Sequence, residues 1–133
     1  MNTLKIHHIG YLVKKLESSI RSFEALGYQI VKETVYDEGR DVNICFLSKD
    51  GYQIELVSPV SDSSVVAGLL KKYKNCPYHI CYACSNFEKT LADLTANGYV
   101  AIDSPTPAPA IEGRRVVFLM NASLGMIELL DLG

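Results

Sequence analysis

The feature that most constrains this chain is that it repeats itself. His8-Ile9-Gly10-Tyr11 returns as His79-Ile80-Cys81-Tyr82, 71 residues further on. At the same offset Leu16-Glu17 meets Phe87-Glu88, Ile20 meets Leu91, Phe23 meets Leu94, and Gly27-Tyr28 meets Gly98-Tyr99. No gap is needed across that stretch. Later, Phe46-Leu47 matches Phe118-Leu119, and Ile54-Glu55-Leu56 matches Ile127-Glu128-Leu129. One matched tripeptide arises by chance, but an ungapped match that closes on the same Gly-Tyr pair does not. The chain therefore reads as two copies of one module.

Each copy predicts the same order of elements. An apolar-rich run, Lys5 to Val13 or Tyr78 to Cys84, reads as a strand. A helix follows, with Leu16, Ile20 and Phe23, or Phe87, Leu91 and Leu94, recurring at i, i+4 and i+7. Gly27 and Gly98 fall where such a helix would end. Three strands come next: near Gln29 to Val35, Val42 to Leu47 and Tyr52 to Val57, then near Val100 to Asp103, Arg115 to Met120 and Met126 to Asp131. The expected fold class is thus α+β, with two tandem βαβββ modules. Between them, Val65, Val66, Leu69, Leu70 and Tyr73 predict a short linking helix with one apolar face. The run Ser104-Pro105-Thr106-Pro107-Ala108-Pro109 predicts an exposed loop.

Composition narrows the partners. A length of 133 residues is one ordinary domain, and 48% hydrophobic residues suffice for a core without a disulfide scaffold. The net charge of −2 gives no concentrated basic surface, so no nucleic-acid partner is expected. The basic groupings Lys14-Lys15, Lys71-Lys72 with Lys74, and Arg114-Arg115 read as solvated surface. Arg114, Arg115 and the lysines from Lys71 to Lys74 are also the side chains that could meet substrate phosphates or carboxylates. No apolar run approaches the ~20 residues of a membrane span, so no membrane partner is expected. The start of the chain carries no secretory stretch. The expectation is a cytoplasmic protein whose four cysteines are free thiols.

Strand alternation then assigns faces. Ile54 and Leu56, and likewise Ile127 and Leu129, should pack on the helix of their own module, which turns Glu55 and Glu128 the other way. A mid-strand carboxylate is costly to bury unless it is paired or coordinated. His7 and His8 should face opposite sides of their strand. His79 aligns with His8, whereas Tyr78 aligns with His7, so His8 and His79 form the symmetric pair. Two histidines and two glutamates at equivalent repeat positions predict a metal site made of His8, Glu55, His79 and Glu128. Such a set suits one borderline divalent ion: Zn, Ni, Co, Mn or Fe. Cys81 and Cys84 have C-x-x-C spacing, but in a strand residues three apart face opposite sides, so both read as small packing residues.

The paired modules with these four residues resemble the vicinal oxygen chelate superfamily, which includes glyoxalase I, methylmalonyl-CoA epimerase, extradiol dioxygenases and antibiotic-resistance proteins. The segments that carry the resemblance are His7-His8-Ile9-Gly10, Ile54-Glu55-Leu56-Val57-Ser58-Pro59, Asp62-Ser63-Ser64-Val65-Val66-Ala67, Tyr78-His79-Ile80-Cys81, Gly113-Arg114-Arg115-Val116-Val117-Phe118-Leu119 and Ile127-Glu128-Leu129. The epimerase branch is the nearest in pattern. The resemblance implies a single domain over residues 1–133, with modules at about 4–57 and 77–132 and a linker helix at about 58–76. It implies a curved, barrel-like mixed sheet around a metal. It also implies proton transfer beside a metal-polarised carbonyl, with Glu128 as ligand and candidate base and Glu55 as its counterpart. The substrate would be a small molecule, a CoA or glutathione thiol adduct, and the assembly a homodimer. Two positions depart from the epimerase pattern. Asn43 stands about where a carboxylate base is usual on the middle strand of the first module, and Met120-Asn121-Ala122 replaces histidine-proline-lysine. The alternatives are glyoxalase I (lactoylglutathione lyase) and a non-catalytic protein that binds a ligand or antibiotic.

Overall fold

The computed structural model describes residues 4–133. Its elements follow the repeat. The first copy supplies β1 (Lys5–Leu12), α1 (Leu16–Ala25), β2 (Gln29–Ile30), β3 (Val35–Asp37), β4 (Val42–Lys49) and β5 (Tyr52–Pro59). Helix α2 (Ala67–Tyr73) links it to the second copy. That copy supplies β6 (Cys76–Cys84), α3 (Phe87–Ala96), β7 (Val100–Ala101), β8 (Thr106–Ala108), β9 (Arg114–Asn121) and β10 (Gly125–Asp131), with a short 3₁₀ turn at Pro109–Ile111. The fold class is the expected α+β.

The chain forms two compact units, Ile9–Tyr78 and residues 4–8 with His79–Gly133. In the first, the strands run in the order β2-β4-β5-β1. β1 lies parallel to β5, with Gly10 beside Glu55, and β4 lies antiparallel to β5, with Phe46 beside Glu55. In the second the order is β6-β10-β9-β7. β6 lies parallel to β10, with Cys81 beside Glu128, and β9 lies antiparallel to β10, with Phe118 beside Glu128. The two units repeat each other strand for strand.

The helices sit where alternation requires. Val13, Leu47, Ile54 and Leu56 form a buried cluster against Leu16, Ile20 and Phe23 of α1. Cys84, Phe87, Val117, Leu119, Ile127 and Leu129 form the equivalent cluster against Leu91 and Leu94 of α3. Both helices end on the expected glycine. Gly27 adopts φ +100° and Gly98 φ +92°. The amide of Tyr28 donates to the Phe23 carbonyl and that of Tyr99 to the Leu94 carbonyl, which closes the last turn over the glycine.

Three expectations change. The strand expected near Gln29 to Val35 is split into β2 and β3, and its counterpart is split into β7 and β8; both pieces of each pair on β4 or β9. In the second copy the break has a clear cause. The carboxylate of Asp103 accepts the Phe118 amide bond, taking the place of a ladder partner, and Pro105 has no N–H to give. The proline-rich run is not simply an exposed loop. Residues Thr106–Ala108 pair with β9, and Ala108 and Ala110 are buried. Proline is tolerated there because β8 is a short edge strand that uses few of its own donors. Finally, α2 starts only at Ala67, so Val65 precedes it and is exposed. Tyr73 is exposed as well, so of the expected apolar face Val66 is buried and Leu69 and Leu70 are half-buried.

Leu129 is fully buried between β9, α3 and the rest of its cluster. Leu129→Ala should lower the unfolding free energy by about 2–5 kcal/mol, read as an earlier midpoint in urea denaturation with unchanged slope.

Candidate functional site

The faces turned away from the helices carry the polar residues. In β10, Ile127 and Leu129 go to the α3 side, so Glu128 projects from the other face, between Phe118 of β9 and Cys81 of β6. His79 lies two residues before Cys81 and shares its face. His8 belongs to the same unit, at the end of the segment 4–8. All of these are deeply buried: His8 is 1% exposed, His79 4% and Glu128 4%.

Within this unit three donor atoms converge. Nε2 of His8 and Nε2 of His79 each lie 3.2 Å from Oε1 of Glu128, and 3.3 Å from one another. The His8 and His79 rings stand almost perpendicular, at 78°. Among the described residues Oε1 accepts no hydrogen bond, although two imidazole nitrogens are so near. Burial pushes the Glu128 carboxyl up, but His79 and His8 beside it more than offset that and hold it well below the usual carboxylate range. Glu128 is thus ionised inside the protein, at a place where a bare charge would be costly.

The triangle fits a bound cation. Ligands about 2.1 Å from an ion are about 3.0 Å apart at octahedral angles and about 3.4 Å apart at tetrahedral ones. The three observed separations fall in that interval. Two imidazoles and a carboxylate suit a borderline divalent ion. The orphaned, buried Oε1 is the atom such an ion would satisfy. His8, His79 and Glu128 therefore form a His/Glu group that could hold a metal.

Glu55, the fourth expected ligand, lies in the unit of residues 9–78. It is 5% exposed and projects from the face of β5 opposite Ile54 and Leu56, as alternation requires. Its neighbours on that face of β4 are Val42, Ile44 and Phe46, all buried and apolar. Asn43 instead pairs with Ser58 and projects to the α1 side, together with Cys45 and Leu47. That face of β4 thus offers no titratable group beside Glu55.

Other expectations resolve. Cys81 and Cys84 are both buried and on opposite faces; Cys84 packs under α3, while Cys81 flanks Glu128. Arg115 is engaged rather than available. Its guanidinium bonds Glu88 at 2.7 Å and Asp131 at 2.9 Å and lies over the Phe87 ring. Arg114 bonds the Leu132 carbonyl. Lys71 pairs with Asp62 at 3.3 Å, and Lys14, Lys71 and Lys74 line a cavity of 490 Å³.

Two participants were not singled out from sequence. Phe118 sets its ring edge against His79, with centroids 5.1 Å apart, and only the β9–β10 register could have revealed it. His7, expected on the opposite side of β1, brings its Nδ1 to within 2.8 Å of Nδ1 of His8. Alternation fixes where a Cβ points, but not where an imidazole two torsions away comes to rest.

Comparisons with known proteins bear on the family and the fold. The model of the Glyoxalase/Bleomycin resistance protein/Dioxygenase superfamily matches residues 7–118. Methylmalonyl-CoA epimerase, mitochondrial, of Bos taurus is 27% identical over 133 residues, covering 96% of this chain and 74% of its own. Ethylmalonyl-CoA/methylmalonyl-CoA epimerase of Cereibacter sphaeroides is 26% identical, covering 86% of this chain and 87% of its own. The crystal structure of methylmalonyl-CoA epimerase from Mycobacterium tuberculosis superposes with a TM-score of 0.84 over 96% of this chain and 87% of that one. At 22% identity, that likeness is one of fold.

The Arg115 clamp holds the Glu88 carboxyl below its ordinary range, chiefly by a direct hydrogen bond. In Arg115→Gln the Glu88 titration midpoint should rise toward the usual carboxylate value, as followed by carboxyl-carbon NMR.

Proposed function

Because the chain belongs to the glyoxalase/bleomycin resistance protein/dioxygenase superfamily, we propose that it is an isomerase-type enzyme that moves a proton beside the carbonyl of a CoA thioester, with one divalent ion held by His8, Glu55, His79 and Glu128. The observation that carries this reading is the buried triangle of two Nε2 atoms and one carboxylate oxygen, 3.2–3.3 Å on each side. Glu55 joins the set on the repeat symmetry.

His8 and His79 would hold the ion through Nε2 and Glu128 through Oε1, with a carboxylate oxygen of Glu55 as the fourth ligand. When bound, such an ion supplies Lewis acidity that polarises a carbonyl oxygen and makes the neighbouring carbon-bound proton removable. The residues of the chain do the rest. An ionised Glu128 would accept that proton at a carboxylate oxygen, and Glu55, its counterpart in the repeat, would return it. Return to the opposite face of the carbon inverts it, which is an epimerisation. Phe118, Cys81 and the apolar side of β4 line the carboxylates with groups that exclude water. The lysines of the 490 Å³ cavity offer positive charge for the phosphates of a CoA substrate.

The relatives named as epimerases favour the thioester over the glutathione hemithioacetal of a glyoxalase I. A non-catalytic ligand-binding role leaves the ionised ligand set without a use. A homodimer and a cytoplasmic setting belong to the same proposal. Among the described residues no helix is long and apolar enough to cross a membrane.

The test is epimerisation of methylmalonyl-CoA, followed by exchange of its α-proton with solvent deuterium, after loading with each candidate metal. Elemental analysis should find one transition-metal ion per chain. His79→Ala and Glu128→Gln should each lose that metal and reduce turnover at least a hundredfold. If both variants keep their metal and their rate, the site assignment is wrong. Hemithioacetal isomerisation in place of epimerisation would move the protein to the glyoxalase I branch.

A further inference from the structure

We infer that His7 is a positioning residue: through its Nδ1 it holds His8 in the tautomer that leaves the Nε2 lone pair free for a metal. The inference rests on the ligand assignment above and extends it to a residue that the repeat leaves out, since the second copy has Tyr78 at the equivalent place.

The geometry starts with the 2.8 Å separation between Nδ1 of His7 and Nδ1 of His8, which is a hydrogen-bond length. One of the two nitrogens must carry the proton. A neutral imidazole has one N–H and one lone pair, so the choice at Nδ1 decides the state of Nε2. If His8 donates from Nδ1, its Nε2 carries a lone pair. If His7 donates instead, the hydrogen of His8 lies on Nε2, directed into the cluster of His79 and Glu128. The second arrangement leaves His8 no lone pair on Nε2, so only the first is competent to bind a metal through that nitrogen. The first arrangement satisfies His8 at both ends. Nδ1 donates to His7, and Nε2 accepts from Nε2 of His79 at 3.3 Å or, when a metal is present, binds it.

His7 is well placed for this. Its ring stands at 77° to that of His8 with centroids 5.1 Å apart, and it is half-buried, so water competes weakly for the bond. Histidine ligands usually give their other N–H to a fixed acceptor, which sets the tautomer and ring orientation; losing that acceptor typically costs 10–100-fold in metal affinity. Here the acceptor is the side chain immediately before the ligand on the same strand.

The experiment has two arms. The first reads the tautomer of His8 directly in the metal-free protein by long-range ¹H–¹⁵N correlation, above the ordinary imidazole titration range. The expected result is a proton on Nδ1 and none on Nε2. A proton on Nε2 overturns the inference, whatever the metal does. The second arm compares metal affinity by competition with a chromophoric chelator in His7→Leu, His7→Asn and His79→Ala. His7→Leu should bind tenfold to a hundredfold more weakly and show a mixed His8 tautomer. His7→Asn keeps an acceptor oxygen near the Nδ1 position and should recover most of the affinity. If His7→Leu binds as tightly as the parent while His79→Ala does not bind, His7 has no positioning role and the ligand assignment stands. If His79→Ala binds as tightly as the parent, the ligand assignment fails, and the tautomer measurement still decides whether His7 governs the ring of His8. Thermal melts of each variant separate loss of fold from loss of affinity.

Discussion

A buried, ionised carboxylate is the constraint on which the second half of this protein depends. Glu128 sits in the middle of a strand, with its neighbours on the same strand directed to the core beneath α3. Water is excluded there, and an isolated charge would be several kcal/mol out of place. Two imidazoles at 3.2 Å keep it ionised. Each imidazole needs its own placement: His79 comes from the parallel neighbour β6, and His8 from the far end of the sequence. The fold thus brings together groups that stabilise one another only as a set. Apolar substitution at any one of them leaves the others as buried polar groups without their partners, so the cluster behaves as a unit.

Much of this was legible in the residues because a repeat carries its own alignment. The matched Gly27 and Gly98 marked both helix ends, and both adopt the left-handed conformation with the same closing bond. Alternation in β5 and β10 placed Glu55 and Glu128 correctly, because a period of two leaves no freedom once the apolar face is known. The symmetric pairing of His8 with His79 picked out the two histidines whose Nε2 atoms lie 3.3 Å apart.

What escaped depended on neighbours rather than on the strand itself. The Asp103 side chain replaces a backbone partner of Phe118, and nothing in its own segment announces this. The proline-rich run becomes a strand only because β9 offers it an edge. Asn43 looked comparable to a catalytic position, yet the β4–β5 register turns it to the α1 side. His7 was set aside by the rule that adjacent strand residues diverge, and its ring returns to His8 all the same. In each case the missing information is a register or a rotamer, which a single sequence does not contain.

The division of β1 between two compact units has a consequence for how the protein is made. Residues 4–8 belong with His79–Gly133, so the unit holding His8, His79 and Glu128 is discontinuous along the chain. On a ribosome, about 120 residues separate the appearance of His8 from that of Glu128, which at ordinary elongation rates is roughly 6–24 s. During that interval the unit of residues 9–78 has its own parallel β1–β5 pair and a complete cluster beneath α1. The early histidine, by contrast, waits for partners that do not yet exist. A chain that ends just before Glu128 therefore holds both histidines without the carboxylate that completes their cluster.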